Sequence, residues 1–231
     1  MAKQSSVLSV SIGVGIATGL YGISFGALSV SAGLDVWQTQ VLSLLMFSGG
    51  SQFAFIGVIA AAGATGAGIG AAIVSAWLLG VRNGFYAIRM SPILKKIGLA
   101  KILPAQITID ESVAVSIGQS TDENQRKGFW FTGISVFVFW NSMTLLGAIL
   151  GDALGDPKVY GLDAAAAAAF LGLLWPRLVE RQALAVAAAA LLIAVVSSPM
   201  LPPGIPVLIA GVAAVVVGAF NLLAPKNGGA K

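Results

Sequence analysis

Arg82, Asn83 and Tyr86 close one long uncharged run of the chain, and Asp110 and Glu111 interrupt another stretch that is otherwise apolar. Ionisable groups inside apolar segments are expensive, are usually paired, and mark gates, relays or ligand sites by default. Arg82 paired with Asp110 or Glu111 would make a gate or a protonatable relay, with Asn83 and Tyr86 beside it. The competing reading is interfacial. Arg82 and Arg89 share a helical face and would reach lipid headgroups, while an acidic pair at a helix start favours the local dipole.

A second set of residues disfavours continuous helix. Gly22-Ile-Ser24-Phe25-Gly26 lies inside the first apolar run, and Ser48-Gly49-Gly50-Ser51-Gln52 lies in the middle of the second. Consecutive glycines and hydroxyls weaken a helix. An interruption in lipid is tolerated only where protein or a water-filled cavity satisfies the freed backbone groups. Such an interruption presents helix ends, whose N–H groups stabilise a carboxylate and whose carbonyls stabilise a cation. An amino-acid zwitterion offers both charges. Asn141, with Ser142 and Thr144 nearby, adds a polar site at the centre of a later apolar run. The alternative for the glycine clusters is close helix packing, the natural reading of Gly15, Gly19, Gly147 and Gly151.

These residues need apolar helices to hold them. The apolar set makes up 57% of the sequence and charged residues 10%, against about 25% charged in soluble domains. No charge occurs between Lys3 and Asp35, Asp35 and Arg82, Lys127 and Asp152, or Arg181 and Lys226. The pattern predicts an all-α polytopic membrane protein. Apolar segments at 7–32, 36–62, 66–88, 128–151, 162–179, 183–198 and 205–223 give about seven transmembrane helices. The segment 102–117 is a short re-entrant, interfacial or crossing helix. Val207 to Phe220 is apolar on every side, which excludes the alternation of a β-barrel. With no cysteine and no histidine, thiolate or imidazole metal sites and Ser-His or Cys-His nucleophiles are excluded. Neither metal, cofactor nor enzymatic activity is expected, and no basic patch with aromatics suggests nucleic acid.

Lys95, Lys96, Lys101, Arg126 and Lys127, with Arg89 at its edge, make the connection 90–127 basic, hence cytoplasmic. Counting seven crossings from it places the N-terminus outside and the C-terminus inside a multi-pass cytoplasmic membrane protein. The expected organisation is one transmembrane domain, 1–231. It comprises a first helical repeat at 7–89, the connection 90–127 with its embedded helix at 102–117, a second repeat at 128–199, and an additional helix at 205–223. Gly26-Ala-Leu with Gly33-Leu34-Asp35 is similar to Gly151-Asp-Ala-Leu with Gly161-Leu162-Asp163. This similarity predicts inverted three-helix repeats with discontinuous helices, a plan of secondary transporters. Chance similarity between glycine-rich helices is the other reading.

At these motifs the sequence resembles the AzlC family, the large subunit of branched-chain amino acid exporters. Gly22-Ile-Ser-Phe-Gly26-Ala-Leu and Met46-Phe47-Ser48-Gly49-Gly50-Ser51-Gln52-Phe53 resemble the family's Phe-Gly and Phe-Ala-Gly-Ala-Ser-Gln-Phe signatures. Leu78-Leu-Gly80-Val-Arg82-Asn83-Gly-Phe-Tyr86 is similar to its Leu-Leu-Asn-x-Arg-His-x-x-Tyr. Asp110-Glu111-Ser112-Val113-Ala114 resembles its Asp-Glu-x-x-Ala, and Gly161-Leu162-Asp163 with Phe170 a later element. The resemblance runs over nearly the whole chain. It implies proton-driven export of small apolar amino acids together with a small hydrophobic AzlD-like membrane subunit. The family's Asn and His stand here as Gly80 and Asn83. Loss of the imidazole removes the side chain that titrates near neutrality, leaving Asp110 or Glu111 to handle protons. Still open are a passive channel for a small solute and a structural subunit of a membrane complex.

Overall fold

A computed structural model describes residues 6–63, 68–95, 98–154, 181–202 and 204–220, with Leu171, Leu174, Trp175, Leu178 and Val179. Among the described residues there are helices and turns and no strand. Among the described residues, three helical runs are long and apolar enough to cross a membrane: Val7–Ser31, Ile69–Leu94 and Asp122–Ala153. The first consists of α1 (Val7–Leu20) and α2 (Gly22–Ser31), joined at Tyr21, whose φ of −66° and ψ of −24° are helical. The expected interruption at Gly22–Gly26 is therefore absent. The one departure is a turn at Tyr21 between α1 and α2.

Two further segments behave differently. α3 (Val36–Leu45) and α4 (Gly49–Ala62) have 10 and 14 residues. At 1.5 Å per residue, α3 rises about 15 Å, half of a ~30 Å hydrocarbon core. Asp35 starts α3 with a capping box, its carboxylate accepting from the Gln38 amide at 2.7 Å. Met46 (φ −97°, ψ 67°) and Ser48 (φ −157°, ψ 103°) end it and turn the chain. α4 then doubles back along α5 (Ile69–Leu94), with Gly50 beside Arg82, and Val58 and Ala62 beside Gly68. The 36–62 run, expected as one crossing, is a hairpin. Its tip meets the middle of α6, the helix Asp122–Leu154, where the Phe47 and Phe137 ring centroids are 4.9 Å apart and Gly49 touches Trp140.

The 102–117 segment repeats this shape from the other end. A 3-10 turn at Gly98–Lys101 and the short helix Ile102–Gln106 lead to Ile107, which lies against Gly133 of α6. α7 (Asp110–Ile117) returns, and the Ser116 hydroxyl donates to the Gln125 carbonyl at 2.8 Å. The turn 107–109 is held by the Ser112 hydroxyl, which accepts from the Ile109 amide and donates to the Ile107 carbonyl at 2.7 Å.

The direction of the long helices follows from their contacts. The Thr132 hydroxyl donates to Ser11 at 2.9 Å, Gly15 faces Ser135, Gly19 faces Phe139, Gly22 faces Thr144 and Gly151 faces Ala27. Matched positions rise together, so α1–α2 and α6 run side by side in the same direction. A Cβ on Gly26 would lie 2.1 Å from the Thr144 carbonyl oxygen, and one on Gly147 the same distance from that of Ile23. The small residues permit backbone contact. α5 runs the opposite way, with Ile93 near its end accepting from Arg126 near the start of α6 at 2.8 Å. The residue-6 end of α1 consequently shares a side with the basic connection, contrary to the seven-crossing count. α8 (Arg181–Ser197) and α9 (Ile205–Ala219) pack on each other. Segment 162–179, the repeat element at Gly161-Leu162-Asp163 and Phe170 fall mainly or wholly outside the described residues.

Candidate functional site

The tips of the two hairpins and the middle of α5 line a partly open cavity of about 680 Å³. Ser48, Gly49 and Gly50 line it from the start of α4, Asp110 and Glu111 from the start of α7, and Arg82 and Asn83 from α5. Tyr21, Phe53, Val136 and Trp140 form much of its apolar wall.

An ion pair crosses this cavity. Arg82 Nη2 lies 2.9 Å from Asp110 Oδ2, with both side chains 30% exposed. The Tyr86 hydroxyl donates to Asp110 Oδ1 at 2.5 Å. Of the two acidic partners open to Arg82, the structure selects Asp110. The pair ties α5 to α7, and the guanidinium lies beside Gly50 of α4, 3.0 Å from the position a Cβ would take there.

Both hairpins turn helix N-termini toward this space. Ser48 caps α4 through its backbone only, since its side chain makes no capping bond. The first-turn amides of a helix have no carbonyl partner within it. At the other end of the break, the carbonyls of α3 are satisfied by two glutamines. Gln52 Nε2 donates to Ser43 and Met46 at 3.3 and 2.8 Å, and Gln106 Nε2 donates to Leu44 and Leu45 at 2.7 and 3.3 Å. Gln106 belongs to the opposite hairpin, so the two tips are clasped together. Gln52 Oε1 in turn accepts from Trp140 Nε1 at 2.9 Å.

The remaining residues singled out from the sequence occupy other places. Ser51 lines an adjoining cavity of about 580 Å³, which shares Phe47, Ser48 and Asn83 with the first as a common wall. Gln52 is fully buried in the capping arrangement. Phe25 lies in the aromatic core, its ring centroid 5.6 Å from that of Phe53 and 6.2 Å from that of Trp140. Gly26 is a helix contact and Ser24 is half-buried on the same helix, neither lining the cavity. Asn141 donates to the Phe137 carbonyl at 2.8 Å and also lies off the cavity. Its neighbour Trp140, which the sequence did not single out, faces it. A larger cavity of about 1090 Å³ lies between the open arms of the first hairpin, where Asp35 is the one ionisable residue among the described residues that line it.

A family model described as AzlC protein matches residues 13–154, more than half of the chain. That span contains both hairpins and every residue of the cavity rim named above, but stops before Gly161-Leu162-Asp163. Comparison with curated proteins and with solved structures finds no match. On the strength of the family match, the chain belongs to the AzlC family.

Proposed function

We propose that this chain is a membrane carrier that exports branched-chain or similar small apolar amino acids, with the inter-hairpin cavity as its binding site. AzlC proteins are generally associated with branched-chain amino acid transport and work with a partner subunit. The observation that carries the reading is the convergence of two helix N-termini and the Arg82–Asp110 pair on one mid-height cavity. Irregular backbone in lipid is tolerated around a sheltered path. Here the hairpins would be re-entrant, dipping from opposite faces of the cytoplasmic membrane, while α1–α2, α5 and α6 cross it. A long helix followed by a hairpin, then an antiparallel helix followed by an oppositely entering hairpin, makes an inverted pair, at 7–62 and 69–117. Placing the basic connection in the cytoplasm puts residue 6 there too. Coupling to protons would fall to Asp110 and Glu111, and a small AzlD-like subunit is the proposed partner.

Efflux of preloaded labelled leucine, isoleucine, valine and methionine from cells with and without the gene pair tests this. The expected result is faster, saturable efflux with the pair. Equal efflux in both cells would end the proposal, and non-saturating flux without counterflow in liposomes would favour a channel.

A further inference from the structure

We infer that an amino-acid zwitterion binds by inserting into the Arg82–Asp110 ion pair, its carboxylate moving onto Arg82 and the amide end of α4 and its ammonium onto Asp110. This rests on the transport reading and assigns the site and the charge form of its ligand.

The carboxylate position is built from three independent donors. Arg82 has unused capacity, because its Nε is buried without a hydrogen-bond partner while Nη2 holds Asp110. The Ser48 hydroxyl is also without a partner, is only 7% exposed, and lines the same cavity. The first-turn amides of α4 complete the set, at a helix end that favours negative charge. Gly50 leaves room for the guanidinium at that end, since a Cβ there would sit 3.0 Å from Arg82 Nη2 and crowd it by a few tenths of an ångström.

The ammonium position follows from what insertion leaves behind. A half-buried carboxylate stripped of its cation is costly. Asp110 would keep its bond from Tyr86 and gain the ammonium in place of Arg82, with Glu111 on the same cavity wall as a second acceptor. One ion pair thus becomes two, and no charge is stranded. A ligand carrying a single charge breaks the pair and supplies a counter-charge to only one of its members. The ligand's side chain would then meet Phe53, Val136 and Trp140, a wall suited to an apolar group.

The test is binding to the purified full chain in detergent. Labelled L-leucine is competed with 4-methylpentanoate, which lacks the amino group, and 3-methylbutylamine, which lacks the carboxylate. Both should bind roughly tenfold or more weakly than leucine. Gly50→Ala and the double variant Arg82→Gln/Asp110→Asn, which strands neither charge, should each lose roughly tenfold or more in affinity while staying monodisperse. An analogue binding as tightly as leucine, or a double variant within about threefold of wild type, would overturn the insertion and leave transport standing. If the double variant does not fold, the two analogues and Gly50→Ala decide. Wild-type protein that binds none of leucine, isoleucine, valine and methionine, alone or co-purified with the AzlD-like subunit, would sink the transport reading, and this inference with it.

Discussion

Trp140 has two roles at once, forming part of the cavity wall and fixing Gln52, whose amide closes the broken end of α3. Replacing it with Phe keeps the aromatic wall but leaves Gln52 Oε1 buried without its donor. A stranded buried acceptor costs about 1–3 kcal/mol. Trp140→Phe should therefore lower the thermal unfolding temperature in detergent, read by size-exclusion of heated samples. An unchanged transition would show that this bond does not hold the tip. Residue by residue, charge was the legible part of the site. Arg82, Asn83, Asp110 and Glu111 stand out because polar groups are rare in apolar runs. The aromatic wall was not legible, since Tyr21, Phe53 and Trp140 look like any other apolar residue in such a run. Asn141 shows the limit of reading polarity alone. Adjacent helix positions point about 100° apart, so the polar residue next to Trp140 faces elsewhere.

Among the elements, the glycine seam between α2 and α6 was readable as spacing, and the structure joins the two helices there. Gly147→Leu would drive a side chain into the Ile23 carbonyl, 2.1 Å from the new Cβ. Overpacking typically costs about 1–3 kcal/mol, and in lipid such packing is a main source of helix association. Reduced yield of folded protein and a lower unfolding temperature are expected. Wild-type stability would mean that the seam is looser than it looks. The interruption at Ser48–Gly49–Gly50 was legible from its residues. Its consequence was not, because a break in an apolar run fits a crossing helix and a hairpin equally well. What decides is tertiary: Gly50 beside Arg82 and Val58 beside Gly68 show α4 turning back. Gly22 to Gly26 misled for the opposite reason. Those small residues serve contact with α6, and α2 needs no break to provide it.

For the molecule as a whole, the parallel course of α1–α2 and α6 changes the expected sidedness. The chain has no cysteine, so single cysteines can report on it with membrane-impermeant thiol reagents in oriented vesicles. Ser6→Cys, Lys101→Cys and Ser120→Cys should label from one face, and Trp37→Cys and Ala61→Cys from the other. Labelling of positions 6 and 101 from opposite faces would return the molecule to simple alternating crossings. Labelling of 37 and 61 from opposite faces would undo the first hairpin. Fold class was accessible from composition because lipid imposes it. Parity was not, since the number of times a chain crosses depends on where its short helices stop.

The backbone-to-backbone join at Gly22, Gly26, Gly147 and Gly151 also divides the labour of any working cycle. Two helices locked this closely have no cushion of side chains over which to glide, so they form a fixed keel. In the proposed transport cycle, movement around the cavity would then fall to α5 and the two hairpins. Because Gln106 clasps one hairpin to the other, those two would move as a coupled pair in the proposed cycle.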